Sequence, residues 1–160
     1  MYFKITQEQL ERAKHRNTFD VLKNSIEKGE GTYLGSVGEV VLIDYYKNKE
    51  VKFEDKQNFD YDFIINDFKI DVKTQSMKYK YEPKPYFTCH IPNFNIKQDC
   101  DFYAFMFINL ETNDAYCKGM IRKKDWKSVA KLKKQGEMGR IKPFKCDTWI
   151  CLISDLSKIN

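Results

Sequence analysis

A chain of 160 residues can bury a sizeable core and is expected to form a single domain spanning 1–160. No run approaches the roughly 18 apolar residues of a membrane span, and the first residues do not read as a secretory signal. Five cysteines (Cys89, Cys100, Cys117, Cys146 and Cys151) without a CxxC spacing predict neither a disulfide framework nor a zinc or iron–sulfur site, so buried thiols in a reducing cytoplasm are the expectation.

The net charge of +5 is unevenly placed. Residues 122–145 hold ten Lys or Arg against two acids, Asp125 and Glu137, so that stretch carries +8 and the rest of the chain −3. The asymmetry points to a polyanionic partner, nucleic acid before membrane, although an ordinary solvated helix face would have the same composition.

In chain order, Thr6-Gln7-Glu8-Gln9 has the form of a capping box, with Thr6 capping and Gln9 reaching back. It predicts a helix running to about residue 24, with Leu10, Ala13, Phe19 and Leu22 among its inward residues. The KGEG stretch (28–31) breaks it. Leu34, Val37, Val41, Leu42 and Tyr45 recur at helical spacing and predict a second helix over 32–46. Gly35 and Gly38 each cost that helix stability relative to alanine, so their expected use is close approach of helix to sheet. Glu39 follows at once, just off the apolar stripe, where it would lean over a neighbouring sheet face or point to solvent.

A short strand at 51–53 leads into a hairpin. Residues 61–65 and 68–73 are rich in aromatic and branched side chains. Asn66-Asp67 between them suits a two-residue loop, because both tolerate positive φ. Ile65 then pairs with Phe68, and Asp62 lies directly opposite Asp71. One face carries Phe63, Ile65, Phe68, Ile70 and Val72, a core surface, and the other carries Asp62, Ile64, Lys69, Asp71, Lys73 and Gln75. Cross-strand neighbours have Cβ atoms about 4.5–5.5 Å apart, and like charges at that range destabilise. Two facing carboxylates therefore call for a cation, and hard divalent ions such as Mg²⁺ take oxygen ligands of this kind.

The stretch SMKYKYEPKPYF (76–87) is read as a loop. Its lysines, Lys78 and Lys80 among them, alternate with tyrosines, a pattern that suits base stacking and phosphate contact and equally suits a polar linker. Residues 87–91 predict a further strand. The almost continuous apolar run DFYAFMFINL (101–110) predicts a central strand covered on both faces. Residues 115–121 are expected to pair with it, 125–134 to form a basic helix, and 148–153 to form the last strand.

Taken together, the segments GSVGE (35–39), YD (61–62) and DVKTQ (71–75), each weak alone, resemble the PD-(D/E)xK nuclease superfamily, in particular its small phage-encoded members. The KGEG lead-in, the CDFYAFMFI strand and the KGMIRKKDW stretch carry the similarity across most of the chain. Tyr61 stands where the family pattern often has proline, and Asp60 is close enough to compete for the role of Asp62. The resemblance implies an α/β, restriction-endonuclease-like mixed sheet flanked by helices on both faces, and metal-dependent hydrolysis of DNA phosphodiesters.

On that resemblance Asp62, Asp71, the Val72 carbonyl and Glu39, directly or through water, would hold Mg²⁺ or Mn²⁺. Lys73 would position water or stabilise developing charge, and Gln75 would orient the lysine or the substrate. Lys127, Lys131, Lys133 and Lys134, with Lys78 and Lys80, are the candidate nucleic-acid contacts. DNA is favoured over RNA, no membrane partner is implied, and a homodimer is left open. The alternatives are a catalytically inactive nucleic-acid-binding protein on the same fold, and a structural ion-pair patch of Lys73 with Asp71 and Asp60.

Overall fold

The computed structural model describes residues 1–16, 30–56, 58–140 and 142–158. Strand β1 (Tyr2–Lys4) precedes helix α1 (Gln7–Arg16). The capping box forms as expected: Thr6 N donates to Gln9 Oε1 at 3.0 Å and Gln9 N to Thr6 Oγ1 at 3.2 Å. Phe19 and Leu22, and the KG half of the expected break, lie outside the described residues. Helix α2 (Glu30–Lys47) begins earlier than the sequence suggested, with Glu30 and Gly31 inside its first turn. Gln9 and Arg12 of α1 both reach Asp44 of α2, at 2.8 and 2.5 Å.

Three antiparallel strands follow, β2 (Phe53–Asp55), β3 (Phe63–Ile65) and β4 (Phe68–Ser76). The β3–β4 register is the expected one, Ile65 against Phe68 and Phe63 against Ile70. Asn66 and Asp67 adopt φ of 47° and 69°, both positive, which gives a two-residue loop the twist of its flanking strands. Phe63, Ile65, Ile70 and Val72 are buried under the helices as the alternation requires, whereas Phe68, expected in the core, is 48% exposed at the hairpin end.

Strand β5 (Thr88–Pro92) and a 3-10 turn (Asn93–Lys97) lead to β6 (Phe102–Asn109), which returns parallel to β4 and pairs antiparallel with β7 (Asp114–Arg122). The six-stranded mixed sheet has the order β1-β7-β6-β4-β3-β2. Its central β6 is covered on both faces, which accounts for its continuous apolar run. Ala104, Met106 and Ile108 join α1 and α2 in one core, while Tyr103, Phe105 and Phe107 join a second core on the other side.

That second face departs from expectation. It is covered by a three-stranded sheet, β5-β9-β8, together with the short helix α3, and not by long helices. Helix α3 (Lys123–Val129) is anchored by fully buried Trp126 and stops at Ala130, whose backbone is extended. The expected continuation of the basic helix to residue 134 is replaced by β8 (Lys131–Lys133), because its backbone pairs with β9 (Thr148–Leu152). All five cysteines are free thiols. Cys146 precedes β9 and is only half-buried, unlike the other four. No helix among the described residues is long and apolar enough to cross a membrane.

Candidate active site

Strand β4 builds the site because its residues alternate between the two cores. Ile70, Val72 and Thr74 point to α2, while Asp71, Lys73 and Gln75 point to the opposite face. The buried Asp71 takes the Lys73 ammonium on Oδ2 at 2.6 Å as an ion pair, without hydrogen-bond alignment. Lys73 Nζ also donates to Gln98 Oε1 at 2.8 Å and lies 5.9 Å above the Tyr103 ring. Gln98, buried in the turn before β6, donates through Nε2 to the Phe59 carbonyl at 2.6 Å, and its own carbonyl accepts the Lys123 ammonium.

Asp62 is reached differently from the simple hairpin extension. The ladder ends at Phe63–Ile70, and Asp62 N donates to Ile70 O at 2.9 Å. Its carboxylate turns back along β4 and accepts the Val72 N–H on Oδ2 at 2.6 Å. Asp62 therefore stands over the strand that carries Asp71, although the two are not ladder partners. Desolvation pushes the Asp62 carboxyl well above the usual carboxylate range, and the charges of Glu39 and Asp71 push the same way against Val72 N–H and Lys73. Desolvation raises Asp71 too, with Lys73 opposing and Glu39 adding. The charge of Glu39 thus raises both carboxyls, and that of Asp71 raises Asp62.

Glu39 is held by a residue the sequence did not single out. Arg16, at the end of α1 and 8% exposed, donates Nε to Glu39 Oε2 at 2.6 Å and forks both terminal nitrogens onto Asp55, at 2.7 and 2.8 Å. Burial works against its charge, and the bonds to Asp55 and Glu39 overcome that, leaving its pKa above the ordinary value. Among the described residues no three His, Cys, Asp or Glu side chains form a group ready to hold a metal. Glu39 is turned to Arg16 and Asp71 to Lys73.

Gln75 is spent on architecture: Nε2 donates to Thr88 O at 3.1 Å and Oε1 accepts His90 N at 2.8 Å, which stitches β4 to β5 across the two sheets. Asp60 does not meet Lys73; its Oδ1 accepts Asp99 N at 3.2 Å. Of the candidate phosphate contacts, Lys133 pairs with Glu137 at 3.2 Å and Lys134 with Asp147 at 2.9 Å. Lys127 lies 5.8 Å over the Trp149 ring. Lys131, Lys78 and Lys80 are exposed. Gln98 and Lys123, both in contact with the Lys73 network, carried no spacing signal, since each comes from a loop or helix start far from β4.

No protein-family model matches this chain, and no curated protein matches it.

Proposed function

We propose that this chain is a metal-dependent nuclease that hydrolyses DNA phosphodiester bonds, on a restriction-endonuclease-like core of the PD-(D/E)xK type. The observation that carries the reading is the pair of desolvated carboxylates, Asp71 on β4 beside Lys73 at 2.6 Å and Asp62 bonded to the Val72 N–H of the same strand, with the charge of Glu39 raising both. Carboxylates whose ionisation is this costly in the free protein are what a divalent cation would relieve. The order α2, an antiparallel β2-β3-β4 meander, then β6 parallel to β4, supports the same reading.

Asp62, Asp71 and the Val72 carbonyl, all oxygen donors, would hold Mg²⁺ or Mn²⁺ with Glu39 as the outer acid, once Asp71 is released from Lys73 and Glu39 from Arg16. Bound there, the ion would polarise a phosphate oxygen and lower the pKa of a water. Lys73 supplies a positive charge at the place where the phosphate gains negative charge. Asp71 and Gln98 fix that ammonium in position, and Arg16 fixes Glu39. Gln75 enters as a positioning residue, tying the catalytic strand to β5. Phosphate contacts fall first to Lys127 and the cations around it. Lys131, Lys78 and Lys80 come next, and Lys133 and Lys134 contribute less because each already has an acid partner.

A second reading, a catalytically inactive nucleic-acid-binding protein, draws on the Lys73–Asp71 and Arg16–Glu39 pairs, which balance charge without a metal. Plasmid nicking separates the two. Nicking with Mg²⁺ or Mn²⁺ that is lost in chelator and in both Asp62→Asn and Asp71→Asn supports the nuclease. DNA binding without nicking under any divalent metal supports the silent form.

A further inference from the structure

Beside the Lys73 network, a cleft of about 480 Å³ is lined by Phe68, Cys100, Phe102, Arg122, Lys124 and Lys127, with Asp101 and Lys123 completing its wall. That volume lies in the range of small-ligand sites, about 300–1,000 Å³. Among the described residues Asp101, whose Oδ2 accepts Lys69 N at 2.8 Å, is its one lining acid and is outnumbered by Arg122, Lys123, Lys124 and Lys127. The cleft therefore presents cations around an aromatic floor. Phe68 and Phe102 meet edge to face at 5.4 Å, and the Arg122 guanidinium lies 5.6 Å from the Phe102 ring centre. Phe68 is the residue the hairpin alternation assigned to the core, yet it stands 48% exposed over this cleft.

We propose that this cleft receives one unstacked nucleotide of a single-stranded nucleic acid, its base on the Phe68 ring and its flanking phosphates on Arg122, Lys124 and Lys127. The proposal rests on the nuclease reading and names its substrate class. An exposed ring binds a base only when the base's own face is free, which a paired, stacked duplex withholds. Cations alone would serve either form through phosphates. The cleft also has a direct connection to the chemistry. Lys123 on its wall donates to the Gln98 carbonyl, and the Gln98 side chain accepts the Lys73 ammonium at 2.8 Å. The cleft thus adjoins the network that holds the Lys73 ammonium against Asp71.

The test is fluorescence anisotropy with a labelled 12-nucleotide oligo-dT and a labelled blunt 12-base-pair duplex, in chelator, so that neither metal nor cleavage enters. The wild type should prefer the single strand. Phe68→Ala should weaken that binding by about 5- to 100-fold, the range found for loss of one base–aromatic stack, and leave duplex binding within about twofold. Phe68→Tyr, which keeps the ring, should restore it. Single-strand affinity unchanged in Phe68→Ala, or not restored by Phe68→Tyr, overturns the cleft assignment while the nuclease reading stands. Binding of neither nucleic acid by the wild type also overturns the cleft assignment, and the nuclease reading is decided separately by plasmid nicking with Mg²⁺ or Mn²⁺.

Discussion

Among the described residues, the Asp62 carboxylate is held among like charges by the Val72 N–H, its donor at 2.6 Å. Its pKa is raised in the folded protein by desolvation, then by Glu39 and Asp71. A carboxyl raised on folding helps stability below its unfolded pKa, about 3.9, and loses that help as pH rises through the folded value. At neutral pH without metal it is therefore a net cost. Asp62→Asn keeps an acceptor for Val72 and removes the charge, so the metal-free variant should melt a few degrees higher at pH 7. Wild type should gain stability with Mg²⁺ or Mn²⁺, by about 2.7 kcal/mol at a metal concentration a hundredfold above the dissociation constant, and the variant should gain almost none. Thermal melts in chelator and in metal check both, and a less stable metal-free variant would show that Asp62 is a structural anion. Much of this residue set was legible in the sequence, because Asp62, Asp71, Lys73 and Gln75 belong to one hairpin whose turn chemistry and alternation are local. Arg16 was not, since its partners Glu39 and Asp55 lie 23 and 39 residues away and only the docking of α1 joins them.

At the scale of elements, close approach of α2 to β4 is set by Gly38. A Cβ there would stand 2.2 Å from Thr74 Oγ1, while one at Gly35 would meet nothing within 4 Å, so only the second glycine of the pair has the close-contact role. Gly38→Ala should cost about 1–3 kcal/mol by overpacking, less the fraction of a kcal/mol that alanine returns to the helix. Thr74→Ala in that background should recover most of the loss, and urea unfolding of the two single variants and the double variant measures the coupling. The inter-sheet seam offers a pH handle. Burial pushes His90 down to about 4, and its Nε2 lies 2.8 Å from Thr88 Oγ1 beside the Phe144 ring. Its folded pKa is below the unfolded value of about 6.5, so the unfolded chain takes up the proton first. Wild-type stability should fall relative to His90→Gln as pH drops from about 6.5 towards 4, by on the order of 3 kcal/mol in total, and level off below. Melting curves of both proteins across that window test it. The failed expectation at 125–134 has an equally physical cause. Local composition favours a helix, but Lys131–Lys133 is claimed by β9, a strand that the chain reaches only at Thr148.

For the whole molecule, the fold divides the +8 stretch into two regions with different surroundings. Arg122, Lys124 and Lys127 line the cleft at the start of α3, whereas Lys133 and Lys134 of the following segment are matched by Glu137 and Asp147. The sequence reading put Lys127, Lys131, Lys133 and Lys134 forward and passed over Arg122 and Lys124, because acid partners brought in by a turn and by the approach to a later strand are invisible to a charge count. The division has a measurable consequence. Each cation that neutralises a phosphate releases counterion, and on single strands the logarithmic salt slope is about −0.7 per contact. Replacing Arg122, Lys124 and Lys127 with glutamine should therefore flatten the slope for an oligo-dT by about 2. The matching triple variant at Lys131, Lys133 and Lys134 should flatten it by less than about 1, since Glu137 and Asp147 beside Lys133 and Lys134 offset that surface's positive charge locally. Titrations of both triples from low to moderate salt, at constant pH and in chelator, give the two slopes directly. Equal flattening would place the strand across β8 as well as the cleft, and the reverse order would move the nucleic-acid path off the α3 side of the sheet.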